Sequence, residues 1–331
     1  PMPPSEASPV RTDFGSINGE TVELVRLQVD GLTAELITVG AAVHRVVVDG
    51  RDIALGHPDA ADYAQSLFCV GLTIGRFANR IGGGRFTVDG VEHRLAANEG
   101  ANTLHGGPDG FHRRLWTITG TSADSVTFGL VSVDGDQGFP GQLTASVRYT
   151  IALGELRLDY EATTTAATPV NFTNHGYWNP AGEASGSTDE LLVTVPASRL
   201  VEVDGDLIPT GRLVPVGAHD LRTARSVAEV APLDTCFVID AADGSIVPHA
   251  TFASADLAID VLSDQPGIQL YTADVMSGVP GLTSAYGARA GLALETQNLP
   301  DAPNQPGFPN SILRPGEVHR TTTIWRFRPL G

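Results

Sequence analysis

Hydrophobic and polar positions alternate with a period of two over the clearest stretches of the chain. Val147, Tyr149 and Ile151 alternate with Arg148 and Thr150, and Leu156, Leu158 and Tyr160 alternate with Arg157, Asp159 and Glu161. Successive strand side chains point to opposite faces, so each run predicts a half-buried strand. Leu153-Gly154-Glu155 between them predicts a hairpin turn. The tripeptide Val-Asp-Gly occurs five times, with aspartates at Asp30, Asp49, Asp89, Asp134 and Asp204. Asp-Gly tolerates the positive φ angles of a tight hairpin turn, and the irregular spacing predicts repeated hairpins without a repeat architecture. Helical periodicity is confined to residues 59–67 and 222–229, each about two turns long. Gly and Pro punctuate nearly every ten residues. The expected fold class is therefore all-β, a large antiparallel β-sandwich with few short helices. No composition break divides the chain, so a single β-sandwich domain is expected over 11–331 behind a flexible N-terminal tail at 1–10.

Composition narrows the function. The 331 residues carry a formal charge of −17, which argues against a nucleic-acid partner and against an anionic membrane surface. All 21 basic residues are arginine. Without lysine there is no Schiff-base amine for pyridoxal or aldolase chemistry and no P-loop lysine. Cys69 and Cys236 stand far apart in apolar company, as small buried hydrophobes do. No apolar run reaches the ~18 residues of a membrane helix. The start, PMPPSEASPV, lacks the basic and apolar regions of a signal peptide. A soluble cytoplasmic protein is the expectation.

Standard catalytic signatures are missing: there is no G-x-S-x-G, H-E-x-x-H or G-x-G-x-x-G. His93, His105 and His112 fall within twenty residues, but in different settings and with no carboxylate at ligand spacing, so no metal is expected. Four polar clusters and one lone acid remain. Asn79 and Arg80 precede a glycine run, where an arginine can fork onto hydroxyls or simply end a strand. His105 precedes Gly106-Gly107, a turn that lets backbone approach a ligand, although a lone histidine there is more often structural. VNFTNHGYWNP, residues 170–180, packs His175 among Asn171, Asn174, Asn179, Tyr177 and Trp178. Dense amides and aromatics fit hydroxyl recognition and an apolar platform for a sugar ring. Asn171 also opens a glycosylation sequon. Asp234 enters an apolar strand, and Glu295 leaves one into a loop with prolines at 300, 303, 306 and 309. Taken alone, either acid is more often an ordinary ion-pair member than a positioned base. Two histidines and a glutamate can exchange protons near neutral pH if their surroundings separate their pKa values.

The motifs GRFANRI, LHGG, NHGYWN, LDTCF, GIQLYT and LETQNLPDA, in that order, resemble the aldose 1-epimerases, also called galactose mutarotases. The resemblance runs over nearly the whole chain. It implies an antiparallel β-sandwich with its site on the concave face of one sheet. It further implies cofactor-free interconversion of the α and β anomers of a free monosaccharide, by a monomer or homodimer. By motif position, Glu295 matches the base that takes the O1 proton and His175 the acid that protonates O5. His105 matches a second, orienting histidine, and Asn79, Arg80, Asp234, Gln269 and Tyr177 fall at substrate-binding positions. Thr235 and Cys236 depart from the commoner family pattern and put the preferred aldose in question. A hexose 6-phosphate epimerase would gather several arginines at the site, with Arg76, Arg80, Arg85, Arg113 and Arg114 as candidates. A binding protein without catalysis is the other alternative on this scaffold.

Overall fold

Leu143–Ala152 and Glu155–Thr164 pair along their whole length, and every second side chain is buried. The computed structural model describes residues 9–331. The tail expected over 1–10 lies outside the described residues except for Pro9 and Val10, and Val10 already pairs with Arg26. Three sheets carry the architecture. A nine-stranded sheet runs in the spatial order Thr117–Ser122, Ser125–Ser132, Leu143–Ala152, Glu155–Thr164, His319–Pro329, Leu257–Ser263, Val247–Ala253, Leu192–Thr194 and Arg225–Ser226. A six-stranded sheet runs Tyr177–Trp178, Leu292–Gln297, Gly267–Tyr271, Asp234–Val238, Arg199–Val203 and Pro209–Pro215. Residues from Val10–Ile17 to Arg51–Asp52 make a five-stranded meander.

The first two sheets share one core. Tyr149, Leu156, Leu158, Ile259, Val261 and Trp325 from the larger sheet join Phe237, Ile268, Leu270, Leu292 and Leu294 from the smaller in one buried cluster. Burying each such side chain is worth roughly 1.5–3 kcal/mol. Trp178 seals this layer against Trp325, ring centres 4.6 Å apart.

Because the strand period is two, the residues between those core positions face the other way. Tyr177, Glu295, Gln269, Tyr271, Asp234 and Cys236 therefore share the sheet's outer face. Register aligns them: Gln269 lies opposite Glu295, Cys236 opposite Gln269, and Asp234 opposite Tyr271.

All five Val-Asp-Gly copies lie where hairpins close, four of them in short turns at Asp30, Asp49, Asp89 and Asp204. Asp134 lies in the longer loop between Ser125–Ser132 and Leu143–Ala152. Its carboxylate accepts from the Gly141 N–H, which folds that loop irregularly. The first expected helix forms over Ala60–Gln65, capped by Asp59. The second, expected over 222–229, is displaced to Val227–Val230. Ser226 and Glu229 form a capping box there, which sets the start. Arg225 and Ser226 are drawn into pairing with Val193 and Leu192. Among the described residues no helix is long and apolar enough to cross a membrane.

Candidate active site

A cavity of about 210 Å³ opens over the outer face of the six-stranded sheet. That volume suits one small ring better than a drug-sized ligand. All eight residues that the resemblance placed at catalytic or substrate-binding positions line it: Asn79, Arg80, His105, His175, Tyr177, Asp234, Gln269 and Glu295. A larger cavity, about 680 Å³, lies between the Asp264–Pro266 and Pro309–Leu313 segments, and none of the eight lines it.

The sheet supplies the floor and loops supply the rest. Glu295 is 2 % exposed. His175 Nε2 lies 3.5 Å from its Oε1. Burial, and then the Asp234 charge, push the Glu295 carboxyl well above the ordinary glutamate value, against the opposing pull of Arg80. Burial lowers His175 to about 4. Desolvation thus disfavours the charged form of both groups. Glu295 Oε2, His175 Nδ1, Tyr177 Oη and Gln269 Oε1 have no protein partner, so the floor presents unused hydrogen-bonding capacity.

His105 reaches the pair from another segment, its ring 5.4 Å from that of His175 and nearly perpendicular to it. The Asn79 N–H donates to His105 Nδ1 at 3.2 Å, and the His105 N–H donates to the Asn79 carbonyl at 3.1 Å. Burial and neighbouring positive groups hold His105 well below its ordinary pKa. A neutral ring whose Nδ1 accepts carries its proton on Nε2. Asn79 and His105 both have left-handed backbone, φ 64° and 53°. Non-glycine residues rarely adopt it, and such strain concentrates at functional sites. Gly106 follows for a different reason than the sequence suggested. A Cβ there would sit 2.1 Å from the Gly75 carbonyl oxygen, so the close approach is to backbone and not to a ligand.

Arg80 is held by carboxylates. Its Nε and Nη2 donate to Glu99 at 2.6 and 2.9 Å, and its Nη1 lies 3.6 Å from Asp234. Burial opposes its charge, but the Glu99 hydrogen bonds and the Asp234 charge outweigh burial and raise its pKa. Gln269 donates to the other Asp234 oxygen.

Two expectations need correction. The asparagines of VNFTNHGYWNP do not face the cavity. Asn171 donates to the carbonyls of Ala78 and Asn298, Asn174 to that of Gly71, and Asn179 to those of Gly186 and Ala290. They staple His175's segment to its neighbours, and Asn171, 1 % exposed, is no glycosylation acceptor. Trp178 belongs to the core. The arginines likewise do not converge, because among the described residues only Arg80 of them lines the cavity. Arg76 is buried on the carbonyls of Ser132, Val133, Pro140 and Gly141, and Arg114 pairs with Asp109 and Asp136.

Sequence reasoning missed two residues around Arg80. Glu99 carried no signal separating it from any loop carboxylate. Asp301, 2 % exposed, lies in the proline-spaced loop and accepts from the Gly82 N–H, Asn304 Nδ2 and Gln305 Nε2. Its own N–H donates to the Arg80 carbonyl at 2.8 Å. The loop after Glu295 is thus tied to the segment bearing Arg80.

Residues 23–326 match the family model described as aldose 1-epimerase. The chain belongs to the aldose 1-epimerase family. It is 39 % identical to the galactose mutarotase of Homo sapiens, with 97 % of this chain and 99 % of the relative covered. Identity to the aldose 1-epimerase of Escherichia coli is 35 %, covering 94 % and 96 %. Among solved structures, an aldose epimerase homologue from C. elegans superposes with a TM-score of 0.87 at 28 % identity, covering 93 % of this chain and 99 % of that one. The galactose 1-epimerase of Lactobacillus acidophilus shares the fold, with a TM-score of 0.87 at 22 % identity over 99 % and 100 %. The aldose 1-epimerase family fold therefore spans almost all of the chain.

Proposed function

We propose that this protein interconverts the α and β anomers of free aldoses such as glucose and galactose, with residues 11–331 acting as one catalytic domain. The observation that carries this reading is the buried His175–Glu295 pair, 3.5 Å apart at the cavity floor. Glu295 takes the O1 proton while His175 delivers one to the ring oxygen O5. The C1–O5 bond breaks, leaving an aldehyde at C1. Rotation about C1–C2 turns the other carbonyl face to the C5 hydroxyl, and closure returns both protons. Nothing is oxidised or reduced, so the residues alone complete the cycle without cofactor or metal. His105, with its proton on Nε2, donates to the reacting end and orients it. Asn79, Arg80, Asp234, Gln269 and Tyr177 hold the remaining hydroxyls.

The convergence of an acid–base pair speaks against a binding protein without catalysis, which needs none. The lone Arg80 speaks against a hexose 6-phosphate as substrate. A cytoplasmic monomer or homodimer belongs to the same proposal, to be checked by fractionation and sedimentation. The direct test is polarimetry of freshly dissolved α-glucose and α-galactose. Accelerated decay above the buffer rate is expected, and no acceleration with any common aldose overturns the proposal.

The pair also predicts a pH profile. Ionised Glu295 with protonated His175 carries as many protons as the two neutral groups, so catalysis moves one proton within a pair that titrates as a unit. A second proton, gained as pH falls through the His175 value of about 4, silences the base. Loss of the shared proton, as pH rises through the elevated Glu295 value, removes the acid. We expect kcat/KM to plateau through neutral pH, with its acid limb near 4. An acid limb at the ordinary histidine value, about 6.5, would show that the two groups titrate separately.

A further inference from the structure

We propose that Glu99 is a specificity-determining residue that reserves the cavity for uncharged aldoses; this rests on the mutarotase reading above. Arg80 is the one lysine or arginine lining the cavity among the described residues. Before any sugar arrives, all three of its guanidinium nitrogens face carboxylates. Nε and Nη2 form a two-pronged contact with Glu99 at 2.6 and 2.9 Å, and Nη1 lies 3.6 Å from Asp234. Bidentate carboxylate contacts are among the strongest an arginine makes, and their geometry is the one it would use on a phosphate. Glu99 thus occupies the prongs that an anionic sugar would need.

Charge counting leads to the same place. Arg80 contributes one positive charge to the wall, against Glu99 and Asp234, while the His175–Glu295 pair with one shared proton contributes none. A phosphorylated or carboxylated aldose would lose its hydration in a partly enclosed site where no cation is free to replace it, which disfavours its binding. Uncharged hydroxyls lose far less and find the unpartnered floor atoms.

The loop around Glu99 fixes this arrangement. The N–H groups of Asn98 and Glu99 donate to the Asn102 carbonyl, and the Asn102 N–H returns to that of Glu99. The Asn98 side chain accepts from the Leu104 N–H at 2.7 Å and donates to the Leu104 carbonyl at 3.0 Å. Glu99 is therefore locked to the segment that carries His105. Its side chain is 35 % exposed, so an isosteric amide leaves no buried hole.

The test compares α-glucose with α-glucose 6-phosphate and glucuronate, by polarimetry, in the wild type, Glu99→Gln, Glu99→Asp and Glu92→Gln. Glu92 is an exposed carboxylate on Val91–Arg94, outside the cavity, and controls for overall charge. The wild type is expected to favour glucose by at least about tenfold in kcat/KM. Glu99→Gln should shrink that preference about tenfold, mainly through a lower KM for the anionic sugars. Glu99→Asp and Glu92→Gln should keep it. An unchanged preference in Glu99→Gln, an equal shift in Glu92→Gln, or a wild type that handles the anionic sugars as well as glucose overturns the proposal. Absence of acceleration with every neutral aldose would instead strike the mutarotase reading itself.

Discussion

Glu295→Gln, and separately His175→Asn, are expected to lower kcat by about 10²–10⁴-fold, the range for loss of a general acid or base. Glutamine keeps the shape of the carboxylate and can still meet His175, but it cannot accept a proton. KM should move little, because the lost interaction belongs to the transition state and not to substrate binding. The double variant should cost little more than either single one, since both serve one proton exchange and neighbours in one network are not additive. Folding is not at stake in Glu295→Gln. Burial already favours an uncharged side chain there, so the melting temperature should hold or rise. Polarimetric kcat and KM, measured beside a thermal melt, check every part. Near-normal turnover in either variant would remove that residue from its assigned role.

Asp301→Ala should damage stability and substrate binding without touching the proposed catalytic pair. Its buried carboxylate satisfies three donors: the Gly82 N–H at 2.9 Å, Asn304 Nδ2 at 2.7 Å and Gln305 Nε2 at 2.7 Å. Removing it leaves the Gly82 N–H without an acceptor, while Asn304 Nδ2 keeps the Arg85 carbonyl and Gln305 Nε2 the Pro209 carbonyl. One orphaned N–H and two weakened amides give a destabilisation of roughly 1–3 kcal/mol. A functional loss should follow because the loop that this carboxylate holds also carries the residue 301 N–H bonded to the Arg80 carbonyl, and that contact loosens as the loop does. We expect a lower denaturation midpoint and a raised KM, with kcat less affected. Unchanged stability would mean that the proline-spaced loop holds itself without this clamp.

The sandwich was legible because its strands have one wet face, and alternation such as Val147, Tyr149, Ile151 records that directly. Hairpins were legible where Asp-Gly alone decides the turn, as at Asp49 and Asp89 with φ of 48° and 51°. The Asp134 hairpin is longer because its carboxylate found a partner seven residues away. The proposed catalytic face was named only through motif resemblance, since period-two patterning places Glu295 on a face without saying what shares it. The asparagines around His175 were misread for a physical reason. An amide that binds a sugar and one that binds a backbone carbonyl look alike in sequence, and long-range partners decide between them. Glu99 was invisible on the same grounds, because its meaning depends on an arginine nineteen residues away.

Ring opening exposes an aldehyde, and aldehydes attack proteins. Primary amines condense with them to imines, the first step of glycation, and thiolates add to give thiohemiacetals. This sequence carries no lysine amine anywhere. The thiol on the cavity wall, Cys69, is pushed up by burial to about 12, so at neutral pH it stays protonated and poorly nucleophilic. The open-chain sugar therefore meets carboxylates, amides, phenols, imidazoles, a protonated thiol and the carboxylate-held guanidinium of Arg80 while it turns. A chamber so furnished can pass its own reactive intermediate turnover after turnover without becoming covalently fouled by it.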